Sequence, residues 1–253
     1  MVYYNEIDPY AAQWLRNLIA AGHIAKGEVD ERSIQLVDPA DLAGFVQCHF
    51  FAGIGVWSHA LRLAGWPDDR PVWTGSCPCQ PFSAAGKGAG FADERHLWPE
   101  FFRLIRERRP PVVFGEQVAS KDGLEWLDLV QADLEGSGYA SAAADLCAAG
   151  IGAPHIRQRL YWVADAASSR RQRIGHQPTH DKSLSRYPSV AGAPWVRADW
   201  ISCNDGTRRP VEPGTFPLAH GAASRVGRLR AYGNAIVPQV AQAFIEAFME
   251  CRP

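Results

Sequence analysis

Segments rich in β-branched and aromatic residues alternate with amphipathic helical segments along most of this chain. That alternation restricts it to an α/β fold built on a largely parallel sheet. Val2-Tyr3-Tyr4-Asn5 reads as a strand. Asp8 then caps a helix that Pro9 opens and Gly22 stops. Val29 and 34–37 are weak strand or turn signals. Residues 45–51 form a second strand and run into the glycine loop Ala52-Gly53-Ile54-Gly55. A helix over 57–64 ends at Gly65 and Pro67, and Pro71-Val72-Trp73-Thr74 reads as the next strand. An apolar face on 97–108 predicts a helix. Strands at 111–115, 139–146 and 160–164, a helix over 123–136 and a closing helix over 238–251 complete the pattern.

Several of these strands end on residues that packing alone does not call for. The clearest case is Gly75-Ser76-Cys77-Pro78-Cys79-Gln80-Pro81-Phe82-Ser83. Two prolines fix φ and donate no backbone hydrogen bond, so this run is a shaped loop. A thiol at the carboxyl end of a strand is where α/β enzymes place chemistry. An isolated Cys is more often a buried structural residue, so its neighbours must decide.

Four further constellations lie at strand or helix ends. Phe51-Ala52-Gly53-Ile54-Gly55 lets backbone approach a ligand closely, although Ser58 stands where a dinucleotide fingerprint has its third glycine. Glu6, just past the first strand, is placed either to accept ribose hydroxyls or to cap the helix. Glu116-Gln117-Val118 offers a carboxylate that burial could hold protonated against a base ring. Arg157 and Arg159 alternate with Ile156 and Leu160 and so share a face, suited to phosphate or a carbonyl. Gly233-Asn234-Ala235-Ile236-Val237-Pro238 turns into the last helix.

Composition narrows the setting. The chain of 253 residues is 47% hydrophobic and 21% charged, with no apolar run near the roughly 20 residues of a membrane span. The first residues lack a basic-then-apolar segment, so no signal peptide is expected. The six cysteines (48, 77, 79, 147, 203 and 251) show no paired metal spacing. Free thiols and a cytoplasmic location are expected. Net charge is −1, but residues 165–230 carry 11 Lys/Arg against 5 Asp/Glu, a local excess of +6. A basic segment on an acidic body suggests an anionic partner such as nucleic acid.

Together these motifs resemble the cytosine-C5 DNA methyltransferases, over most of 1–164 and 225–250. Pro78-Cys79-Gln80-Pro81-Phe82-Ser83 is similar to the family's catalytic loop, and Phe51-Ala52-Gly53-Ile54-Gly55 to its cofactor loop. Glu116-Gln117-Val118 resembles Glu-Asn-Val. His155-Ile156-Arg157-Gln158-Arg159 resembles Gln-x-Arg-x-Arg, and Gly233-Asn234 with Ile236-Val237-Pro238 resembles the closing motif.

The resemblance implies a Rossmann-like, S-adenosylmethionine-dependent methyltransferase sheet formed by 1–164 and 225–253. It also implies a small, mostly irregular target-recognition region at 165–224. The expected reaction is methyl transfer to C5 of a cytosine flipped from duplex DNA, through a covalent adduct of Cys79 with C6. The chemistry is coherent, because cytosine C5 is a poor nucleophile until a thiolate adds at C6, and a stacked base is out of reach. Alternatives are a catalytically silent DNA-binding relative, or the same chemistry on RNA. By this likeness Glu116 holds the base ring, Arg157 its carbonyl, and Arg159 gives a supporting or phosphate contact. Glu6 meets the ribose and Ile7 the adenine. Phe51, Gly53 and Gly55 line the cofactor, with Ser33, Pro78, Leu97 and Asn234 beside it. A monomer without membrane attachment is expected.

The chain departs from the family pattern at Val56 (commonly Gly), Gln117 (Asn) and His155 (Gln). The adenine-contacting position aligns loosely with either Gly27-Glu28-Val29 or Arg32-Ser33-Ile34. The larger departure is order: the Asn5-Glu6 segment precedes the glycine loop that it usually follows. If every strand keeps its family position, the helix after Gly55 leads straight to the strand before Cys79. On its usual face that crossover is left-handed, against a rule obeyed in about 98% of cases. Either the helix changes face, or the connection is an exception, or residues 1–40 only imitate the family's ribose segment.

Overall fold

A computed structural model describes residues 1–78, 97–153, 155–166 and 233–252, and the backbone of two short strands at 199–202 and 208–211. Cys79 lies outside the described residues, as does most of 165–232.

In chain order the elements are β1 (Val2–Asn5), α1 (Pro9–Ala20), β2 (Gly27–Asp30), β3 (Gln47–Phe50), α2 (Val56–Leu63) and β4 (Val72–Gly75). There follow α3 (Trp98–Arg108), β5 (Val112–Val118), α4 (Lys121–Gly136), β6 (Ala140–Cys147), β7 (Gln158–Asp165), β8 (Asp199–Ser202), β9 (Arg208–Val211) and α5 (Pro238–Cys251). Seven strands form one sheet in the order β2-β1-β3-β4-β5-β7-β6. The first five are parallel, whereas β7 runs antiparallel to both β5 and β6.

Local chemistry explains the boundaries. The Asp8 carboxylate accepts from the N–H groups of Tyr10 (2.9 Å) and Ala11 (3.2 Å), and Pro9 opens the first turn of α1. Ser120 caps α4 by accepting from Gly123 N at 3.0 Å. The weak signal at 34–37 is a 3-10 turn (Ile34–Leu36) and not a strand, and a second such turn spans Pro39–Leu42. β5 runs on to Val118, so Glu116 and Gln117 sit within the strand rather than beyond it. β8 and β9 form a two-stranded antiparallel ladder inside the segment expected to be irregular.

The sheet is covered on both faces. Alternate residues such as Cys48, Phe50, Trp73, Val113 and Trp162 face α3, α4 and the 3-10 turns. The opposite set packs under α1 at one end, where Val2 and Tyr4 meet Leu15, and under α2 and α5 further along, where Val72, Val112 and Phe114 meet Trp57, Leu61 and Ile245.

This layering answers the topological question. α1 carries the chain from β1 outward to β2, whereas α2 carries it inward from β3 to β4, yet both helices lie on one face. They are therefore crossovers of opposite hand. α3 moves inward on the other face, from β4 to β5, and so do the 3-10 turns between β2 and β3. Both share the hand of α1. With these three connections in the usual right hand, β3–α2–β4 is left-handed. The helix keeps its face and the connection is the exception. A close internal fit accompanies it: the Tyr4 hydroxyl reaches Ser58 Oγ of α2 at 3.0 Å and donates to Ala25 O at 2.7 Å.

Candidate active site

The carboxyl ends of β1, β3, β4 and β5 open onto a cavity of about 460 Å³. One end is built from the N-terminal segment. Glu6 follows β1, and its carboxylate accepts from Asp8 N at 2.9 Å and from Gly53 N at 2.7 Å. A side chain near the N-terminus thus fixes the glycine loop. Phe51 and Gly53 turn that loop with φ of 52° and 55°. A Cβ on Gly53 would meet nothing within 4 Å, so the glycine serves backbone conformation and leaves the cavity open. For Phe51 the left-handed conformation is strained, as is common where a backbone must approach a ligand.

Ile7 lines the same end as an apolar side chain with 64% of its surface exposed. Ser33 and Ile34 complete this rim. Asp30 is engaged elsewhere, accepting from Tyr3 Oη at 2.7 Å and pairing with Arg32 at 2.7 Å. Leu97, Pro78 and Asn234 also line the cavity. Gly55 does not. It starts α2 at φ 78°, and a Cβ there would stand 3.0 Å from Leu15 and 3.1 Å from Ile24, so it serves the contact between α1 and α2.

Glu116 occupies the other end. It is 8% exposed, and its Oε1 lies 2.8 Å from Arg159 Nε. Burial raises its proton affinity above the ordinary carboxylate range. Arg159, Arg157 and a hydrogen bond from Ser76 oppose that rise. Arg157 also lines the cavity, but its Nη2 donates to the carbonyls of Gly233 (3.0 Å) and Ala235 (2.7 Å), tying down the turn before α5. The two arginines share a face and do different work.

Beside these, Gln117 is 1% exposed and lines the cavity with a buried Nε2 that has no hydrogen-bond partner among the described residues. Its Oε1 accepts from Val118 N at 2.9 Å. Cys77 is buried in the core, and desolvation pushes its thiol upward, which suits a packing role. Pro78, the residue before Cys79, forms part of the wall. Sequence reasoning missed Trp57 and Ser76, which also line the cavity. Ser76 stood inside the most conspicuous motif, but nothing in its type signalled a polar contact to Glu116.

A largely parallel sheet with helices on both faces and a glycine loop after β3 make a Rossmann-like α/β fold. The C-5 cytosine-specific DNA methylase family matches residues 1–192, and the chain belongs to that family. It is similar to the type II methyltransferase M.HhaI of Haemophilus parahaemolyticus, 36% identical over 99 residues, which is 38% of this chain and 30% of that protein. It is also similar to M.NlaX of Neisseria lactamica, 31% identical over 128 residues, covering 47% of this chain and 41% of that one. Among solved structures, a mutant of DNMT2 from Spodoptera frugiperda aligns with a TM-score of 0.46 and 17% identity, over 70% of this chain and 46% of that one. The chain spans less than half the length of the curated relatives it matches. Among the described residues no helix is long and apolar enough to cross a membrane.

Proposed function

We propose that this protein methylates C5 of cytosine in duplex DNA, with S-adenosylmethionine as donor. The observation that carries the reading is a single cavity, walled at one end by Glu6, Ile7 and Gly53 and at the other by Glu116 and Arg159, with Pro78 beside them. S-adenosylmethionine supplies a methyl group on a sulfonium, an electrophile ready for a carbon nucleophile. The residues present fit it. Glu6 offers a carboxylate at ribose-binding position, Ile7 an exposed apolar surface for a purine, and Gly53 an open approach to backbone. Phe51, Ser33, Leu97 and Asn234 complete that end.

At the other end Glu116 meets the ring of the flipped base, and burial raises the proton affinity of its carboxyl. Arg159, held 2.8 Å from Glu116, is placed for the base carbonyl. Arg157, bound to the carbonyls of Gly233 and Ala235, positions the turn that carries Asn234. This assignment exchanges the arginine roles expected from the resemblance. The Cys79 thiolate adds to C6, which makes C5 nucleophilic. After methyl transfer the C5 proton leaves, the S–C6 bond breaks and the ring is restored. The base must leave the helix for this, because the stack hides C6. The basic segment at 165–230 supplies charge for the phosphate backbone. We assign 1–164 and 225–253 to the catalytic unit and 165–224 to target recognition, in a monomer acting in the cytoplasm.

Incubation with methyl-labelled S-adenosylmethionine and duplex DNA of mixed sequence tests the reading. Label in 5-methylcytosine is expected. Labelled RNA with unlabelled DNA, or no label in either, would contradict it.

A further inference from the structure

Asn5 closes β1 and lines the cavity, yet it is only 3% exposed. It pairs with Asp30 of β2 on one side and Phe50 of β3 on the other. Its Nδ2 donates to Arg32 O at 2.8 Å and to Asp30 O at 3.3 Å. An amide nitrogen carries two hydrogens and a carbonyl only accepts, so these bonds use both hydrogens and fix which way the amide faces. The main-chain carbonyl of Asn5 accepts from Ala52 N at 3.0 Å, in the loop that carries Gly53. One buried residue thus ties together the ends of β1, β2 and β3. The carbonyls it holds on β2 and just beyond immediately precede Ser33 and Ile34 on the cavity rim.

We propose that Asn5 is a positioning residue for the adenosine end of S-adenosylmethionine. It acts through the carbonyls of Asp30 and Arg32, which set where Ser33 and Ile34 stand relative to Glu6. This deepens the reading of that end of the cavity as the cofactor's, and rests on it. The Arg32 side chain is held as well, by Asp30 at 2.7 Å and Asp41 at 2.8 Å, but those ion pairs are open to solvent and water competes for them. The Asn5 amide is shielded, so its bonds are not exchanged for bonds to water at little cost. Alternation along β1 puts Tyr3 on the same face, where its hydroxyl donates to the Asp30 carboxylate at 2.7 Å. Glu6, one residue on, fixes Gly53 on the other side. Adjacent residues at one strand end therefore set both walls of the adenosine end.

Gln47 supplies a chemically matched control. It opens β3, is 1% exposed, and donates through Nε2 to the carbonyls of Pro67 (2.9 Å) and Arg70 (3.3 Å), at the strand end remote from the cavity. Calorimetry on the whole protein would use S-adenosylmethionine and 5′-methylthioadenosine, which keeps the adenosine and lacks the amino acid. Asn5→Ala is expected to lower the affinity for both by the same factor, at least about tenfold. Gln47→Ala should lower the urea midpoint by a similar amount and leave both affinities unchanged. Unchanged affinity in Asn5→Ala, a loss confined to S-adenosylmethionine, or an equal loss in Gln47→Ala would overturn the proposal. A second reading needs no variant. In wild type the Asn5 side-chain amide resonances should shift with the backbone amides of Ser33 and Ile34 as 5′-methylthioadenosine is added, and an Asn5 amide blind to a ligand that moves Ser33 would overturn it too. A wild type that binds neither compound would overturn the cofactor reading of this end. Binding that Asn5→Ala leaves intact would overturn this inference alone.

Discussion

The Glu6 carboxylate accepts a hydrogen bond from the backbone N–H of Gly53 at 2.7 Å, although 47 residues of chain separate them. The segment that precedes the glycine loop in sequence thus meets it in space. A strand keeps its place in a parallel sheet because its neighbours' hydrogen bonds and side chains fix it there, whatever the order of connection. Here β1 is paired on both sides, to β2 and β3, in continuous parallel register.

Glu6→Ala is expected to weaken cofactor binding more than it weakens the fold. The variant loses two charge-assisted acceptor contacts that shape the loop, each of a class worth about 1.5–3 kcal/mol. Calorimetry with S-adenosylmethionine should show affinity lower by at least about tenfold, with a much smaller change in the urea midpoint. Equal affinity in the two proteins would contradict the role.

Gly55→Ala should destabilise the fold without a direct effect on the cavity. The left-handed conformation costs an L-residue about 1–2 kcal/mol, and the new methyl group would press on Leu15 and Ile24. Denaturant unfolding measures it, and a loss under a few tenths of a kcal/mol would contradict the packing described.

The arginines should separate by kinetics. Arg159→Ala removes the partner of a buried carboxylate, a change costing about 3–5 kcal/mol in comparable pairs. It should lower kcat for DNA methylation. Arg157→Ala frees the turn at 233–235 and should act mainly on the KM for S-adenosylmethionine. The opposite pattern would restore the arginine roles expected from resemblance.

His49 gives the fold an acid limit. It is fully buried, bonded through Nδ1 to Thr74 Oγ1 at 2.8 Å, and desolvation lowers its pKa to about 3. The unfolded chain binds its proton near the ordinary value of 6.5, so between these values the unfolded state holds more protons. The contribution of His49 is complete above about pH 6.5 and is lost as pH falls toward 3. His49→Asn, which keeps a polar atom near Thr74, should flatten the stability curve across that window. Parallel curves for the two proteins would contradict it.

Much of this was legible in the sequence, for local reasons. Asp8, Pro9 and Gly22 mark α1 because capping is chemistry between near neighbours. The glycine loop and the residues around Glu116 were legible because ligand sites use unusual residue types at strand ends. The hand of β3–α2–β4 was not, because it depends on which face α2 covers, and Trp57 and Leu61 would be apolar on either. The division of labour between Arg157 and Arg159 was also hidden: both residues point the same way, and only the distant turn at 233–235 tells them apart. Ser76 was passed over because a serine in a Pro/Gly-rich run usually means a turn and nothing more.

Covalent capture tests the central claim most directly. Duplex DNA carrying 5-fluorocytosine blocks loss of the group at C5, so an enzyme that adds a thiolate at C6 and transfers a methyl group stays attached. In the presence of S-adenosylmethionine the account predicts a denaturation-resistant protein–DNA complex with the wild type and none with Cys79→Ser. No complex with any duplex carrying 5-fluorocytosine, or an equal yield from Cys79→Ser, would contradict it.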